Sequence, residues 1–374
     1  MIEIKGKYAT AKIFADTLET SAEGQIRVLC DSSFARGSQV RVMPDVHAGK
    51  GSTIGTTMTI GDYVVPAMVG VDIGCGMETV QLKEKRLNLP ELDSFIRKNI
   101  PSGRAVRERP HRGHGRVKIN ELRCVKKLDT RRAEISLGTL GGGNHFIEVG
   151  KDDDGTLYLV IHSGSRNIGL QVANYYQDVA YKAAGGKEQK EVPYELATVT
   201  GEALDNYLHD MALMQQFAEV NRQIMTEIIL DGLKIKENGR FTTVHNYIDL
   251  DKKILRKGAV SAAQGEKLLI PINMRDGSLI CTGLGNADWN YSAPHGAGRL
   301  MSRTQAEKTF TLSAFKKEMN GIFTTSVGKE TLDECPMAYK PMEDILKHIG
   351  ETVTVDKTIL PIYNFKASER ASRK

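Results

Sequence analysis

A carboxylate and a thiol lie three positions apart in a short glycine-rich stretch of this sequence. Asp72 and Cys75 are separated by Ile73 and Gly74, and further glycines stand at positions 70 and 76. Glycine tolerates backbone angles that other residues avoid, so both side chains could point toward one metal ion. A thiolate with a carboxylate suits Mn²⁺, Fe²⁺, Co²⁺ or Zn²⁺ better than Mg²⁺ or Ca²⁺. The alternative is a buried structural cysteine beside a turn-forming aspartate.

Three histidines supply further candidate ligands. His145, His162 and His245 each lie where a predicted strand or turn meets a glycine or an amide side chain. A single histidine in such a place is more often an ordinary core residue than a ligand. With Asp72 and Cys75, however, the three make five candidate ligands of mixed N, O and S type, which is enough for two ions if the thiolate bridges them.

Groups suited to binding phosphate follow two of the histidines. His162 is followed in the sequence by Ser163, Ser165 and Arg166. His295 is followed by Gly296, Ala297, Gly298, Arg299 and Arg303. Guanidinium and hydroxyl groups donate to phosphate oxygens, and so do the exposed N–H groups of a glycine-rich turn. A neutral imidazole at position 295 could attack phosphorus and form a reactive P–N bond.

Strands and helices must bring these residues together. The pattern predicts long helices over residues 88–100 and 203–232, and strands over residues 40–43, 157–161, 241–244, 268–274, 279–282 and 359–366. Two of these strands end directly before His162 and His245. Asp45 and His47 would share one face of an extended segment, either as a loop-capping pair or as support for a nearby site.

The bulk composition bounds the class of protein. The chain has 374 residues, of which 40% are hydrophobic and 26% charged, as in an ordinary soluble globular protein. Its net charge of +5 permits a polyanionic partner without requiring one. Five scattered cysteines argue against a disulfide framework, and no apolar run approaches the length of a membrane span. We therefore expect a cytoplasmic protein with no membrane partner.

Basic residues are most densely spaced in residues 104–116. Proline and glycine within this stretch argue against a regular helix, so we predict a basic loop. Such a run is usually a solvated surface, and the functional alternative is a grip on the phosphate backbone of a nucleic acid. No aromatic residue interleaves the segment, so base stacking is not indicated there. Residues 367–374 are predicted to be a polar, frayed tail.

Five separated motifs together resemble the RtcB family of RNA-splicing ligases. They are Asp-Ile-Gly-Cys-Gly at 72–76, Gly-Gly-Asn-His-Phe-Ile-Glu at 142–148, His-Ser-Gly-Ser-Arg at 162–166, His-Asn at 245–246 and His-Gly-Ala-Gly-Arg at 295–299. The motifs occur in the family's order and span nearly the whole chain. The resemblance implies an α+β fold, a single catalytic domain over residues 1–374 in which mixed β-sheets and flanking helices surround a central metal-containing cleft.

The resemblance also implies a reaction. An RNA end with a 3′-phosphate or 2′,3′-cyclic phosphate would be joined to a 5′-hydroxyl end, with GTP and two Mn²⁺ ions, in RNA repair or tRNA splicing. By that similarity His295 would carry a covalent GMP and Cys75 would bridge the ions. Asp72, His145, His162 and His245 would complete the metal shells. An archease-type protein is a candidate activator.

The same resemblance assigns the nucleotide contacts. Residues implied to hold GTP are Asn144, Glu148, Asn246, Asn273, Gly296, Ala297, Gly298, Tyr339 and Lys366. The substrate phosphates fall to Ser163, Ser165, Arg166, Arg299 and Arg303. A carboxylate at Glu148 would accept from the N1 and N2 donors of guanine, and adenine lacks that donor pair. The site would therefore prefer GTP to ATP.

Two segments depart from the family's common pattern. Residues 272–275 read Ile-Asn-Met-Arg where many members have Gly-Ser-Met-Gly, and residues 260–261 read Val-Ser where some have Thr-Arg. The chain is also somewhat short for the family. The candidate metal ligands and His295 are retained, so these departures bear on substrate preference and on how the 5′ end is held.

Two other functions remain open from the sequence. A metal-dependent phosphodiesterase or phosphatase could use the same ligands to hydrolyse cyclic phosphate ends without joining them. A non-catalytic RNA-binding protein would have no use for so many metal-type ligands. His295 separates the ligase from the hydrolase, because hydrolysis does not need a nucleophilic histidine.

Overall fold

Three β-sheets and nine α-helices build the part of the chain that the computed structural model describes, residues 1–186 and 192–367. The predicted α+β class is confirmed. The helices are α1 Thr20–Cys30, α2 Pro66–Val69, α3 Leu89–Asn99, α4 Thr130–Ser136, α5 Arg166–Ala183, α6 Gly201–Leu233, α7 Arg303–Thr309, α8 Leu312–Glu318 and α9 Met342–Ile349. The strands are β1 Ile2–Lys5, β2 Thr10–Ile13, β3 Val40–His47, β4 Ile54–Thr59, β5 Gly76–Leu82, β6 Phe146–Lys151, β7 Leu157–Ser163, β8 Glu237–Val244, β9 Asn246–Asp249, β10 Ile254–Lys257, β11 Ala259–Ser261, β12 Lys267–Asn273, β13 Gly277–Gly283, β14 Ser292–Pro294 and β15 Val353–Lys366.

The largest sheet has seven strands in the order β12-β13-β15-β6-β7-β5-β8, and every neighbouring pair is antiparallel. Strand β7 lies inside the sheet, and all seven of its residues are buried. This explains its continuous apolar sequence, because both faces of an interior strand are covered. The sheet therefore provides a rigid frame for side chains at the strand ends.

A second sheet has six strands in the order β1-β2-β3-β4-β10-β9. Strands β2 and β3 pair in parallel and the other neighbours are antiparallel, so the sheet is mixed. Strand β3 continues to His47, four residues beyond the predicted strand 40–43, so it includes Asp45 and His47. A small pairing of β11 with β14 places Pro294 opposite Ala259. This pairing brings the segment before His295 against the end of the second sheet.

The long helix α6 runs through the core behind the seven-stranded sheet. It extends over 33 residues and buries fifteen of them, including Met211, Phe217 and Ile224. The sequence predicted this helix within two residues at its start and one at its end. Its buried polar residues Asn221 and Arg222 do not fit an apolar core stripe, and they carry a positioning task described below.

Several predicted elements differ in detail from the structure. An antiparallel pair of strands, β1 with β2, precedes α1 and was not predicted. The closing strand β15 begins at Val353, six residues earlier than predicted, since its first half pairs with β13 and its second half with β6. The two halves of β15 therefore pair with different strands.

The predicted basic loop, residues 104–116, lies between α3 and α4. It contains no α-helix or strand, and it has a 3₁₀ turn at His114–Arg116. The polar tail prediction falls on residues 368–374, which lie outside the described residues, except for Ala367 directly after β15. Among residues 1–186 and 192–367, no helix combines the length and apolar character needed to cross a bilayer.

Candidate metal and nucleotide site

Four candidate metal ligands stand at the same end of four adjacent strands. His145 directly precedes β6, His162 is the penultimate residue of β7, Cys75 directly precedes β5, and His245 directly follows β8. The register pairs Gly76 with Ser163 and with Val244, and it pairs Phe146 with His162. Antiparallel pairing thus brings ligands together that are separated by up to 170 positions in the sequence.

The ligand atoms lie close together around the Cys75 thiol. Its Sγ is 3.3 Å from Nε2 of His145 and 3.3 Å from Nε2 of His162. His162 Nε2 is 3.5 Å from His245 Nε2, and His145 Nε2 is 3.0 Å from an Asp72 oxygen. Two groups of three ligands result, Cys75 with His162 and His245, and Asp72 with Cys75 and His145. Within each group the ligand atoms lie within 4.8 Å of one another.

Burial sets the protonation of these side chains. Desolvation, with other imidazoles nearby, holds the pKa of His162 and His245 well below the usual value for histidine. Both rings are therefore neutral near pH 7 and present a lone pair. The Nδ1 of His162 donates to the Asn144 carbonyl at 3.1 Å, which leaves Nε2 free to face Cys75. Burial and the Asp72 charge raise the pKa of the Cys75 thiol well above 9.0.

This donor set fits a pair of divalent ions that share a thiolate. Neutral imidazoles, one carboxylate and one sulfur are ligands that Mn²⁺, Fe²⁺, Co²⁺ and Zn²⁺ accept. Cys75 is the member shared by the two groups, and its role as a bridging ligand stays a prediction. An ion must displace the thiol proton, so metal affinity should fall as the pH is lowered.

Glycine at two positions makes this close packing feasible. A Cβ added to Gly164 would lie 2.1 Å from an Asp72 oxygen, and one added to Gly141 would lie 1.9 Å from His145 Nδ1. No ordinary side chain could occupy either position without displacing a ligand. At Gly141 and Gly164, glycine is therefore required by the close approach of a ligand side chain.

Two residues of α6 hold the ligand-bearing loops. Asn221 accepts from the N–H groups of Gly138 and Thr139, and it donates to the Gly164 carbonyl at 3.2 Å. Arg222 is fully buried and donates to the carbonyls of Gly74 and Ser163, both at 2.9 Å. These bonds tie the ends of β5 and β7 to the helix. The apolar pattern of this helix gave no signal for either residue, so neither was predicted.

Three residues predicted to bind substrate phosphate lie outside the main cavity. Ser163 and Ser165 are fully buried. Asn221 donates to the Ser163 hydroxyl, and the Ser165 N–H donates to Asp72 at 3.0 Å. Arg166 donates to the Gly103 carbonyl and to the Thr139 hydroxyl. Within the described chain they support the metal ligands, and none of the three lines the cavity where a nucleotide would bind.

His295 faces the five candidate metal ligands, here called the metal cluster, and is oriented by an aspartate. An oxygen of Asp45 lies 2.6 Å from His295 Nδ1 and accepts from the His295 N–H at 3.2 Å. Its ring contacts the His245 ring edge-on, with centroids 4.9 Å apart. With Nδ1–H donated to Asp45, the lone pair of His295 is on Nε2. Of the two roles open for Asp45, the structure supports a partner of the site.

Glu148, Tyr339 and Lys366, which the resemblance assigns to guanine, line the same cavity. Together with Glu334 and Arg299 they are here called the nucleotide wall. Glu334 accepts from Lys366 at 3.0 Å, from Arg299 at 3.2 Å and from the Tyr339 hydroxyl at 2.7 Å. Burial raises the pKa of Glu334, but Lys366, Arg303 and Arg299 outweigh it and hold that pKa at about 2. Glu334 belongs to no motif in the sequence and was missed.

Glu148 is the exception within this wall. It is buried on β6, and within residues 1–186 and 192–367 its carboxylate accepts one hydrogen bond, from the Asn364 amide at 2.8 Å. Desolvation, only partly offset by Asn364 and Lys366, raises the pKa of Glu148 to about 7. A carboxylate with so few donors can accept more hydrogen bonds from a ligand.

One cavity of about 440 Å³ connects the two walls. Of the predicted site residues it is lined by Asp72, Cys75, Asn144, Glu148, His162, His245, Asn246, Asn273, His295, Gly296, Ala297, Gly298, Arg299, Arg303, Tyr339 and Lys366. His145 contacts Cys75 from behind and does not line the cavity. His47, predicted as possible support for a nearby site, also lines the cavity, and so do Lys257, Glu334 and Asn364, which were not predicted. Lys257 is buried, and burial lowers its pKa to about 8.

Comparison with known proteins now adds a family. A family profile described as tRNA-splicing ligase RtcB matches residues 33–121 and 106–367. The chain belongs to the RtcB family. The match covers the metal cluster, His295 and the nucleotide wall, so the resemblance inferred from five motifs is confirmed.

Several relatives of this RtcB-family chain carry names that state an activity. The RNA-splicing ligase RtcB of Escherichia coli K12 is 33% identical over 377 residues, covering 86% of this chain and 88% of its own. The tRNA-splicing ligase RtcB of Aeropyrum pernix is 28% identical, covering 81% and 82%. The RNA-splicing ligase RtcB of Mycobacterium tuberculosis is 27% identical, covering 82% and 91%.

Proposed function

We propose that this protein is an RNA ligase that uses GTP and two divalent ions, Mn²⁺ by family resemblance. It would join an RNA 3′-phosphate or 2′,3′-cyclic phosphate end to a 5′-hydroxyl end through a GMP carried on His295. The observation that carries the proposal is the pairing of His295 with Asp45 across one cavity from five clustered metal ligands. A hydrolase would need the ligands but not the oriented imidazole.

His295 is the group that would accept GMP. Asp45 holds the Nδ1 proton, so Nε2 attacks the α-phosphorus of GTP as a neutral nucleophile. A P–N bond forms, the bond from phosphorus to the bridging oxygen breaks, and pyrophosphate leaves with the electron pair. Asp45 then stabilises the positive charge on the imidazole, as a buried carboxylate does for a catalytic histidine.

The nucleotide wall would select guanine. A Glu148 carboxylate, with lone pairs left unused by Asn364, accepts from the N1 and N2 donors of the base. Tyr339 and Lys366 are held in place by Glu334 and complete the wall. Asn144 and Asn246 line the same cavity nearer the metal ligands, where the phosphates would lie.

The remaining steps transfer GMP to RNA. The RNA 3′-phosphate attacks the phosphorus on His295, which breaks the P–N bond and leaves an activated 3′ end. The 5′-hydroxyl of the second strand then attacks that end and GMP departs. When bound, the ions would neutralise the phosphates and supply an activated water to open a cyclic phosphate. Arg299 and Arg303 line the cavity as candidate phosphate contacts.

Covalent labelling tests the proposal directly. The protein incubated with Mn²⁺ and α-labelled GTP should retain acid-labile label, and His295→Ala should lose it. His114→Ala is the matched control, since His114 is an exposed histidine outside the cavity. Absence of label with every divalent ion tried, together with hydrolysis of cyclic phosphate ends, would replace the ligase with the phosphodiesterase. A need for an archease-type activator stays a prediction, tested by adding such a protein to the same assay.

A further inference from the structure

We propose that residues 104–132, here named the basic segment, bind the phosphate backbone of the substrate RNA beside the metal centre. The inference rests on the proposed function for the identity of the polyanion. It extends the short basic loop recognised in the sequence through the 3₁₀ turns that follow it, up to the start of α4.

The charge of the chain is concentrated in this segment. Residues 104–132 contain eleven of the 51 Lys and Arg residues and only three of the 46 Asp and Glu residues. The segment therefore carries a net charge of +8, whereas the whole chain carries +5. The rest of the protein is net negative, so a polyanion would be drawn to this one region.

Most of these charges are available to a ligand. Arg116 pairs with Glu227, Arg112 approaches Asp231 and Lys118 pairs with Glu121. Six further cations are exposed and form no ion pair with any residue in 1–186 or 192–367, namely Arg104, Arg109, Arg123, Lys126, Lys127 and Arg131. Like charges held together without counterions destabilise a surface unless a ligand neutralises them.

The segment is a rigid part of the fold. Asp210 of α6 accepts from the N–H groups of Arg123 and Cys124, and Gln171 of α5 accepts from the Asp129 N–H. Three apolar residues of the segment itself, Val117, Ile119 and Leu122, are buried in the core. The exposed cations are therefore presented by a backbone anchored on two helices, which lowers the entropy cost of binding.

A chain of contacts joins the segment to the metal centre. Arg166 donates to the Gly103 carbonyl, next to Arg104, while its Nε donates to Thr139 in the loop before His145. Arg132 donates to the Arg104 carbonyl, so both ends of the segment meet there. Asp72 accepts from the Ser165 N–H, directly before Arg166, so these contacts lead from the segment to the candidate metal ligands. RNA bound to the segment would therefore lie next to the loops that carry Asp72 and His145.

The surface chemistry favours RNA over an acidic protein. The segment contributes none of the exposed large hydrophobic residues among the described residues. Protein interfaces usually depend on buried aromatic or aliphatic anchors at their centre, which this surface lacks. Binding to a nucleic-acid backbone needs only cations and the release of counterions.

A matched pair of triple variants tests the inference. One variant carries Lys126→Ala, Lys127→Ala and Arg131→Ala. The control carries Lys83→Ala, Arg86→Ala and Lys236→Ala, which removes the same residue types from exposed positions without ion pairs. These control residues lie at the opposite end of β5 and β8, roughly 20 Å from the metal ligands by strand rise.

The readout is RNA affinity by fluorescence anisotropy between about 50 and 200 mM salt, with GTP labelling measured in parallel. Losing three phosphate contacts should reduce the salt slope by about 2 to 3 and weaken binding at least about 10-fold at low salt. The control should stay within about twofold, and all proteins should label with GTP equally.

Equal RNA affinity of the two variants would overturn the inference while GTP labelling leaves the ligase proposal intact. Competition by poly-glutamate as strong as by RNA would also overturn it, in favour of an acidic-protein site. Absence of GTP label from the wild-type protein would reject the ligase proposal separately, because the affinity comparison does not depend on GTP.

Discussion

The two walls of the cavity differ in the partners that their buried polar groups have. On the metal wall, three imidazoles, a thiol and Asp72 face one another, and Nδ1 of both His145 and His245 finds no hydrogen-bond partner among the described residues. On the nucleotide wall, the Glu334 carboxylate accepts from Lys366, Arg299 and Tyr339. We expect the first wall to depend on an added cation, whereas the second is stabilised by its own charges.

Removing the shared ligand should have the largest effect. Cys75→Ala takes the common atom from both ligand groups, so we expect Mn²⁺ affinity to fall at least about 100-fold and GTP labelling to disappear. Titration calorimetry with Mn²⁺ measures the first and the labelling assay the second. Cys281→Ala, at a buried cysteine outside the cavity, is the control. Metal binding that survives Cys75→Ala would show that the metal wall does not need a bridging thiolate.

Neutralising the centre of the nucleotide wall should cost stability instead. Glu334→Gln leaves Lys366 and Arg299 without their buried carboxylate, and we expect a loss of about 3 to 5 kcal/mol in the free energy of unfolding. Because the folded pKa of Glu334 is depressed to about 2, its contribution is present above the unfolded value near 4.5 and is lost as pH falls toward 2. Urea unfolding at pH 7 and pH 3 should therefore differ less for the variant than for wild type. Surface Glu330→Gln is the control.

Releasing the nucleophile from its aspartate should slow chemistry without unfolding the protein. Asp45→Asn removes the charge that orients His295 and stabilises its imidazolium, so we expect GTP labelling to slow by on the order of 100-fold. Metal affinity should change little, since Asp45 touches no candidate ligand other than through His295. A labelling rate within a few-fold of wild type would assign Asp45 a purely structural place.

The smallest effect should come from Glu148, whose carboxyl accepts from the Asn364 amide and forms no ion pair among the described residues. With a pKa raised to about 7, Glu148 is mostly protonated at pH 6 and mostly ionised at pH 8. Guanine requires the ionised form, so GTP affinity should rise about 10-fold across that interval. Glu148→Gln should weaken GTP about 10- to 100-fold, remove this pH dependence and narrow the preference over ATP. A wild-type affinity that is flat with pH would place guanine elsewhere.

The sequence identified much of the site because family motifs stay intact within short segments. The metal ligands, His295, Glu148, Tyr339 and Lys366 all come from such segments or match them in position. Glu334, Asn221 and Arg222 were missed because each acts through a residue distant in the chain. Ser163, Ser165 and Arg166 were read as phosphate contacts from their donor groups. In the fold, the Ser163 hydroxyl accepts from Asn221, the Ser165 N–H donates to Asp72, and Arg166 donates to the Gly103 carbonyl.

By itself the sequence determined which chemistry the protein can do, because side-chain types decide which ions and phosphates can be bound. Its motifs also indicated the α+β class, through their resemblance to the RtcB family. Only the tertiary structure decided which groups meet. Antiparallel pairing of β6, β7, β5 and β8 brings four ligands to one strand end, and the fold of β3 brings Asp45 to His295 across 250 positions. Local sequence carries no record of such pairings, since they arise from how the sheets pack.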